Sequence, residues 1–386
     1  PILGIDLGTT NSLVSYWNNE KSVIIPNVFG ENLTPSVVSV DDSGQIFIGK
    51  IAKERLITHP DMTASVFKRN MGSKKLFKLG NKEFLPEELS SLIIRSLKQD
   101  AESYLGQSVE EAIISVPAYF NDTQRKATKR AGELAGLKIE RLINEPTAAA
   151  IAYGLYERES NSKFLVFDLG GGTFDVSILE LYKNIMEVRA VAGDNYLGGE
   201  DFTNIIMSLF LEHNNLKLED IEYKTAAYIK EQSEMAKIKF STAKEVSIKC
   251  KIKDKLLDYT LKIDDYERDC QSLISKLRRP IERALSDAKI KASEIDSIVL
   301  VGGATKLPII RTFVSKLFGR IPSVNINPDE AVALGAGIQA AMKERNRHLK
   351  EIVLTDVCPY TLGTNISLRK PDGYYEPGHF FPIIER

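Results

Sequence analysis

Two stretches of the sequence share one pattern, Ile2-Leu3-Gly4-Ile5-Asp6-Leu7-Gly8-Thr9-Thr10-Asn11-Ser12-Leu13-Val14 and Phe164-Leu165-Val166-Phe167-Asp168-Leu169-Gly170-Gly171-Gly172-Thr173-Phe174-Asp175-Val176-Ser177-Ile178. Each is an apolar run that ends in Asp-Leu-Gly, followed by a turn of small residues that contains threonine and by a second β-rich run. This order predicts two β-hairpins, each with a tight loop at its tip. The two copies are separated by nearly half of the 386-residue chain, so the repeat predicts two related lobes that face one another.

The small residues at the hairpin tips are suited to holding a phosphate. They are Gly8, Thr9 and Thr10 in the first copy, and Gly170, Gly171, Gly172 and Thr173 in the second. Glycine lets backbone N–H groups approach a phosphate because no Cβ stands in the way, and threonine adds a hydroxyl donor. One such turn would be weak support, because glycine-rich turns are common. Two at matching places predict a pair of loops that grip one phosphate chain from opposite lobes.

Asp6 and Asp168 stand directly before these loops, where a carboxylate would repel a bare phosphate. Both are accommodated if a hydrated Mg²⁺ lies between them and the phosphate oxygens, since Mg²⁺ usually keeps several waters and takes few protein carboxylates. The sequence therefore predicts a phosphate site that also contains Mg²⁺.

Two helix starts are predicted near the same site. A buried strand over 298–301 is followed by Gly302-Gly303 and by a helix that Pro308 begins, and its free N–H groups could face an anion. A plain strand-to-helix connection explains that pattern equally well. Asn144-Glu145-Pro146 opens another helix, where the pattern alone favours Glu145 as a partner of the helix dipole.

Two more polar regions are predicted to be insertions, one in each lobe. Residues 35–107 contain short strands and a helix near 86–104. Residues 204–284 contain helices and a β segment near 245–263, and a single helix is predicted over 266–288. Lys68 lies in the first insertion, and the pattern alone gives it no role because most lysines are solvated surface groups.

Composition and motifs disfavour several other functions. With 51 Lys+Arg, 52 Asp+Glu and a net charge of −1, bulk binding to nucleic acid or to an anionic membrane is not expected. No apolar run approaches the ~20 residues of a membrane span. The sequence has no GxxxxGK[ST] loop, and Gly335-Ala336-Gly337 lacks the preceding strand of a dinucleotide site, so these glycines are expected to let a helix pack closely on a sheet or on the nucleotide. The four histidines are too far apart in sequence for a metal motif.

The cysteines and the two ends suggest a piece of a longer cytoplasmic protein. Cys250, Cys270 and Cys358 form neither a CxxC pair nor a disulfide pattern, which is typical of thiols in a reducing cytoplasm. The first residue is proline, and the opening residues do not have the layout of a signal peptide. The final run, Phe381-Pro382-Ile383-Ile384-Glu385-Arg386, reads as an interrupted strand.

With these residues assembled, the chain resembles the heat-shock 70-kDa chaperone family of the DnaK type over essentially its whole length. Five runs carry the resemblance: Gly4-Ile5-Asp6-Leu7-Gly8-Thr9-Thr10-Asn11-Ser12, Val116-Pro117-Ala118-Tyr119-Phe120-Asn121-Asp122, Asn144-Glu145-Pro146-Thr147-Ala148-Ala149-Ala150, Asp168-Leu169-Gly170-Gly171-Gly172-Thr173-Phe174-Asp175 and Asn327-Pro328-Asp329-Glu330-Ala331. Together these motifs are highly specific. The short first insertion is similar to that of the divergent bacterial branch HscC.

The resemblance implies an α/β, actin-like ATPase fold of two duplicated lobes, with ATP or ADP in the cleft between them. It implies that three acidic residues hold Mg²⁺ through water, namely Asp6, Glu145 and Asp168, and K⁺ is a further candidate ion. Lys68 would reach the γ-phosphate, Thr173 would contact phosphate, and Asp175 would help to position the attacking water. For Lys68 and Glu145, these implied roles replace the interpretation from pattern alone.

The family pattern also implies contacts to the nucleoside and to a partner domain. The residues expected around the nucleoside are Glu234, Lys237, Ser241, Gly302, Gly303, Lys306 and Asp329. Lys306 stands where the family usually has arginine, which predicts poorer stacking on adenine. Pro117 and Arg125 match the relay between the nucleotide state and the partner domain.

The predicted layout has three parts. Lobe I covers residues 1–163 with its insertion at about 35–107, and lobe II covers 164–349 with its insertion at about 204–284. Residues 350–386 would form the interdomain linker and the start of a peptide-binding β-domain. The linker motif is Ile352-Val353-Leu354-Thr355-Asp356-Val357, in which Thr355 replaces a leucine and predicts weaker hydrophobic docking.

The function implied is ATP hydrolysis to ADP and phosphate, coupled to peptide binding by a C-terminal domain in protein folding and the stress response. The implied partners are a J-domain co-chaperone, extended peptide clients and a nucleotide-exchange factor, whose usual contacts the short first insertion puts in doubt. Neither nucleic acid nor a membrane is an expected partner. Two alternatives stay open: a small-metabolite kinase on the same fold, for which no acceptor pocket or base is evident, and a filament-forming ATPase.

Overall fold

The computed structural model describes residues 1–155, 161–183, 185–252, 255–344, 353–355, 362–370 and 374–384. The strands in this part of the chain are β1 Ile2–Leu7, β2 Asn11–Trp17, β3 Ser22–Ile25, β4 Thr34–Pro35, β5 Val38–Val40, β6 Ile46–Ile48, β7 Thr63–Ala64, β8 Phe77–Leu79, β9 Lys82–Phe84, β10 Glu111–Val116, β11 Lys138–Asn144, β12 Ser162–Leu169, β13 Phe174–Tyr182, β14 Ile185–Asp194, β15 Glu245–Ile252, β16 Lys255–Lys262, β17 Ser297–Val301, β18 Val353–Thr355, β19 Leu362–Arg369 and β20 Tyr375–Ile384. The α-helices are α1 Lys50–Thr58, α2 Pro86–Leu105, α3 Asp122–Leu134, α4 Glu145–Ala152, α5 Gly199–His213, α6 Tyr223–Lys239, α7 Ile263–Asp269, α8 Gln271–Ala288, α9 Pro308–Phe318 and α10 Ala331–Lys343. Short 3₁₀ helices occur at Pro60–Met62, Phe67–Asn70, Leu218–Asp220, Ala292–Glu294 and Gly303–Lys306.

The first predicted hairpin is the centre of a sheet with the strand order β11-β10-β1-β2-β3, and β4 pairs with β2 as well. β1 and β2 are antiparallel, and Leu7 pairs with Ser12 at the end next to the loop. β10 lies on the other side of β1 and runs parallel to it. The side chains of this sheet are largely buried against α2 and α3, as the apolar strands require.

The second predicted hairpin is the centre of an equivalent sheet with the order β17-β12-β13-β14-β18. β12 and β13 are antiparallel, and Leu169 pairs with Phe174 next to the loop. β17 runs parallel to β12, as β10 does to β1. Both hairpins and the duplication inferred from them are therefore confirmed.

The two predicted insertions consist of the expected kinds of element. Residues 35–107 contain α1, α2 and strands β5 to β9. Residues 204–284 contain most of α5 and α8, all of α6 and α7, and the β15–β16 hairpin. The prediction of one helix over 266–288 is wrong, because α7 ends at Asp269 and α8 begins at Gln271. At their junction the N–H of Leu273 donates to the carbonyl of Cys270, which is tighter than α-helical spacing.

Two helices, α4 and α10, lie between the sheets and share one buried apolar cluster. Although α10 follows the elements of lobe II in sequence, it packs on α4, β1 and β2, and Ser15 Oγ donates to the carbonyl of Ala333 at 2.6 Å. The approach is close, since a Cβ on Gly335 would lie 1.8 Å from the carbonyl oxygen of Ala148. The close packing predicted for this glycine run is confirmed. The end of the segment 164–349 thus completes the core of lobe I.

β18 adds a short parallel strand to the free edge of β14, with Val353 opposite Ile185. Leu354 is half-buried, whereas the side chain of Thr355 is exposed. Three residues of the predicted linker, Ile352, Asp356 and Val357, and the following run 358–361 lie outside the described residues.

The last described residues form an antiparallel hairpin of β19 and β20, and the strand predicted at 381–384 is confirmed as part of β20. Among the described helices, none is long and apolar enough to cross a membrane.

Candidate active site

The two hairpin tips face each other across a cleft that is lined by both lobes. Thr10 and Gly171 approach each other closely across it, because a Cβ on Gly171 would lie 2.3 Å from Thr10 Oγ1. Each loop is held by its own lobe. Ser36 Oγ donates to the carbonyl of Gly8 at 2.8 Å, and the N–H of Gly199 donates to the carbonyl of Gly170 at 2.8 Å. The prediction that both tips open on one shared cleft is confirmed.

Carboxyl groups from both lobes converge in this cleft. They are Asp6, Glu145, Asp168 and Asp175. Burial and the charge of Glu145 raise the pKa of Asp6 to about 6, although a hydrogen bond from Ser115 Oγ at 2.8 Å acts in the opposite direction. Burial, Glu145 and Asp6 raise the pKa of Asp168 to about 8. Burial and the neighbouring Asp168 raise the pKa of Asp175 well above its ordinary value.

Lys68 brings positive charge to this acidic group. Its Nζ lies 2.7 Å from Glu145 Oε1, the side chain is 5 % exposed, and the amine lies over the ring of Phe120. Its charge acts in the lowering direction on the pKa of each of the three aspartates, but burial and the neighbouring carboxylates outweigh it. Val66, which directly precedes the 3₁₀ turn Phe67–Asn70 that contains Lys68, has a left-handed backbone conformation with φ 50°, which is unusual for a β-branched residue and is the kind of strain found at functional sites.

The acidic group fits a cation that is bound through water. Among the described residues, no three His, Cys, Asp or Glu side chains converge closely enough to hold a metal directly. Asp175 Oδ1 is nevertheless buried without a hydrogen-bond partner in this part of the chain, and its pKa is raised first by burial and then by repulsion from the charges of Asp168 and Glu145. A hydrated Mg²⁺ would relieve this repulsion, and the three predicted contacts, Asp6, Glu145 and Asp168, all line the cleft.

The residues predicted around the nucleoside fall into three groups, of which two lie in the cleft and in a groove beside it. Gly302, Gly303 and Asp329 line the cleft itself. Lys306 Nζ forms an ion pair of 2.5 Å with Asp329, and Lys306 and Ser241 line a groove beside the cleft. Pro328 borders both the cleft and the groove, so the two spaces are neighbours.

Glu234 and Lys237 form a network behind the second phosphate loop. Glu234 Oε2 accepts hydrogen bonds from Thr203 Oγ1 at 2.6 Å and from Lys237 Nζ at 3.0 Å, and the same amine donates to the carbonyl of Gly199 at 2.9 Å. Burial acts to raise the pKa of Glu234, but Lys237 and Thr203 outweigh it, so the pKa is lowered. This network supports the start of α5, which is bonded to the phosphate loop.

Arg125 connects the cleft wall to the start of α4. Its guanidinium donates to the carbonyls of Phe120 at 2.9 Å and Ala118 at 3.2 Å, and to Asn144 Oδ1 at 2.8 Å. Asn144 directly precedes Glu145, and Pro117 lines the cleft. The two predicted relay residues therefore lie on one loop-to-helix connection.

Sequence reasoning missed two residues that support the site, one buried behind the cleft and one in its wall. Ser115, which donates to Asp6, could have been noticed as a hydroxyl inside an otherwise apolar strand. Arg69, whose Nη2 donates to the carbonyl of Gly172 at 2.7 Å, had no signal beyond its place next to Lys68. The roles of the predicted site residues in binding and catalysis stay predictions.

Two equivalent sheets, with glycine loops that face each other over an acidic cleft, define the class of two-lobed α/β proteins with a central cleft. The family model described as "Hsp70 protein" matches residues 2–79 and 75–372. The chain belongs to the Hsp70 family, and its fold is therefore the actin-like ATPase fold of that family.

Curated relatives agree with this assignment. The chain is 43% identical over 398 residues to the chaperone protein DnaK of Thermosipho melanesiensis, and 42% identical over 399 residues to that of Thermotoga maritima. In both comparisons the match covers 100% of this chain and 65% of the relative. The chain thus spans 65% of the length of the relatives that it matches, which is slightly less than two-thirds.

Proposed function

We propose that this chain binds Mg·ATP in the cleft, hydrolyses it to ADP and phosphate, and serves as the nucleotide-binding part of a DnaK-type chaperone. The observation that carries the proposal is the pair of glycine loops that face each other over an acidic cleft with one buried lysine. Membership of the Hsp70 family and the printed name of the relatives support it.

Each group in the cleft has a role that its surroundings allow. Backbone N–H groups of the two loops, with Thr9, Thr10 and Thr173, would hold the phosphate chain. Lys68, now paired with Glu145, would turn to the γ-phosphate as it arrives and stabilise the charge that develops there. Asp175 has a free buried oxygen that would accept a hydrogen bond from the attacking water. Bound Mg²⁺ would neutralise phosphate charge, held through water by Asp6, Glu145 and Asp168.

Hydrolysis would be coupled to peptide binding through movement of the lobes. Arg125 links the cleft wall to α4, which lies with α10 between the two sheets, and β18 is paired to the edge of the second sheet. A change in the angle between the lobes would therefore alter the pairing of β18 with β14 and, through β18, the position of the domain that follows it. A J-domain co-chaperone, extended peptides and an exchange factor are the proposed partners. The HscC branch, K⁺ and a cytoplasmic location stay predictions.

A Lys68→Ala variant tests the reaction. We expect it to bind ATP yet lose about 10²-fold or more in single-turnover hydrolysis, because transition-state charge would lose a preorganised cation. Lys129→Ala is the control, since Lys129 is an exposed lysine on α3 outside the cleft. Normal single-turnover hydrolysis by Lys68→Ala would remove the role assigned to this residue.

ATP labelled on its γ-phosphate distinguishes the proposed ATPase from the two alternative functions. Transfer of the γ-label to a metabolite instead of water would favour a kinase and contradict the proposal. Assembly into sedimentable polymers with ATP would favour a filament-forming ATPase.

A further inference from the structure

Arg69 joins the two lobes directly. Its Nη2 atom donates a hydrogen bond of 2.7 Å to the backbone carbonyl of Gly172. Arg69 belongs to the 3₁₀ turn of the lobe I insertion that also contains Lys68, whereas Gly172 belongs to the hairpin loop between β12 and β13 of lobe II. The bond therefore connects the lobe I insertion to the loop that we propose holds phosphate.

The lack of a side chain at Gly172 is what allows Arg69 to approach so closely. A Cβ built on Gly172 would lie 1.6 Å from Arg69 Nη2 and 2.8 Å from Arg69 Cζ, and its three nearest atoms all belong to Arg69. The backbone of Gly172 is not in the left-handed region, so conformation alone would accept alanine. The missing side chain at this position makes room for the guanidinium.

We propose that Arg69 is a positioning residue that holds the lobe II phosphate loop in place and keeps the cleft closed on bound nucleotide. A peptide unit is planar, so fixing the carbonyl of Gly172 also fixes the N–H of Thr173 on the other side of the same peptide. Arg69 is exposed at the cleft wall, and a single exposed contact of this kind is modest in strength, so it can break transiently to let nucleotide leave. This inference rests on the proposed nucleotide binding.

The contact can be perturbed from both sides. Arg69→Ala removes the donor, and Gly172→Ala pushes the guanidinium away while leaving it present. Arg95→Ala is a matched control, because Arg95 Nη2 donates to the carbonyl of Leu134 at 2.9 Å entirely within lobe I. Arg69→Lys restores a cation without the planar fork of donors and should recover part of the effect.

The first measurement is the dissociation rate of a fluorescent ADP in the presence of Mg²⁺. We expect Arg69→Ala to release ADP about fivefold faster and Gly172→Ala to do so as well, with Arg95→Ala unchanged. The double variant should be no faster than Arg69→Ala, since both substitutions break one contact. Wild-type release by Arg69→Ala, or multiplied rates in the double variant, would overturn the proposal.

The second measurement needs no nucleotide. Spin labels on cysteines introduced at Glu54 of lobe I and Glu219 of lobe II, both exposed, report the distance between the insertions, with Cys358 replaced by serine. Arg69→Ala should shift the nucleotide-free distances towards longer values. Unchanged distances would overturn the proposal. They would mean that Arg69 does not hold the lobes together without nucleotide, as expected of a residue that acts only by touching bound phosphate. If the parent protein failed to bind ADP, the proposed function would be wrong. The distance measurement would still show whether the contact between Arg69 and Gly172 holds the two lobes together.

Discussion

Replacing Asp168 by asparagine should make the nucleotide-free protein more stable at alkaline pH. Burial, together with Glu145 and Asp6, raises the pKa of Asp168 from 3.8 to about 8. A carboxyl group whose pKa is raised by folding binds its proton more tightly in the native state. Its contribution to stability is therefore fully present below pH 3.8 and is lost as the pH rises towards about 8. Asparagine has nearly the same shape and never ionises, so the variant escapes this loss.

The size of the effect follows from the pKa change. Each pKa unit corresponds to about 1.4 kcal/mol, so the change from 3.8 to about 8 corresponds to roughly 6 kcal/mol. Asp168 keeps part of its surface open to the cleft, where water screens its charge. We therefore expect about half of this value, about 3 kcal/mol, as the gain in unfolding free energy near pH 8.5. The gain should fall to near zero at about pH 4.

Urea unfolding followed by far-ultraviolet circular dichroism, with a chelator present, measures this difference across the pH range. Asp100→Asn is a matched control, because burial raises the pKa of Asp100 to about 6 at a position outside the cleft lining. Added Mg·ADP should reduce the advantage of Asp168→Asn but not that of Asp100→Asn. A variant no more stable than the parent near pH 8.5, or a difference that stays constant down to pH 4, would refute the reasoning.

Three further experiments, two of them with a comparison variant, test other parts of the molecule. Gly335→Ala should cost about 3 kcal/mol in urea unfolding, because its Cβ meets a backbone carbonyl, whereas Gly132→Ala should cost about half as much, because the atoms nearest to its Cβ belong to the side chains of Ile139 and Ile114. Lys306→Arg should tighten ADP binding several-fold in calorimetry through stacking on adenine, and unchanged affinity would argue against a contact with the base. Leu354→Ala should speed amide exchange across β18 about threefold or more, whereas Thr355→Leu should change it little, because only Leu354 is partly buried.

The repeated pattern predicted the fold because both hairpins are local. The apolar runs, the glycine turns and the helix start at Pro308 act over a few residues, and the structure has a strand, a loop or a helix start at each of them. The course of α10 could not be predicted in this way. Its contacts with Ala148 and Ser15 join residues far apart in the chain, and small residues indicate close packing without naming the partner.

The residues of the candidate site, too, could be predicted only where they belong to a local sequence pattern. Asp6 and Asp168 follow from the hairpin pattern, because they directly precede the loops. Lys68 and Glu145 came only from the resemblance, since a pair separated by 77 positions has no local signal. Arg69 was missed because its partner is a backbone carbonyl, which leaves no trace in the side-chain sequence.

The course of α10 also has a consequence for synthesis on the ribosome. The first sheet emerges early, yet the helix that covers its inner face ends only at Lys343. Until that helix has left the exit tunnel, the apolar surface around β1 and α4 lacks its cover, and the amino-terminal half cannot mature before the carboxy-terminal half. The nascent chain is therefore exposed to aggregation until α10 has been made, and cutting the chain between the lobes would leave neither piece with a closed interior.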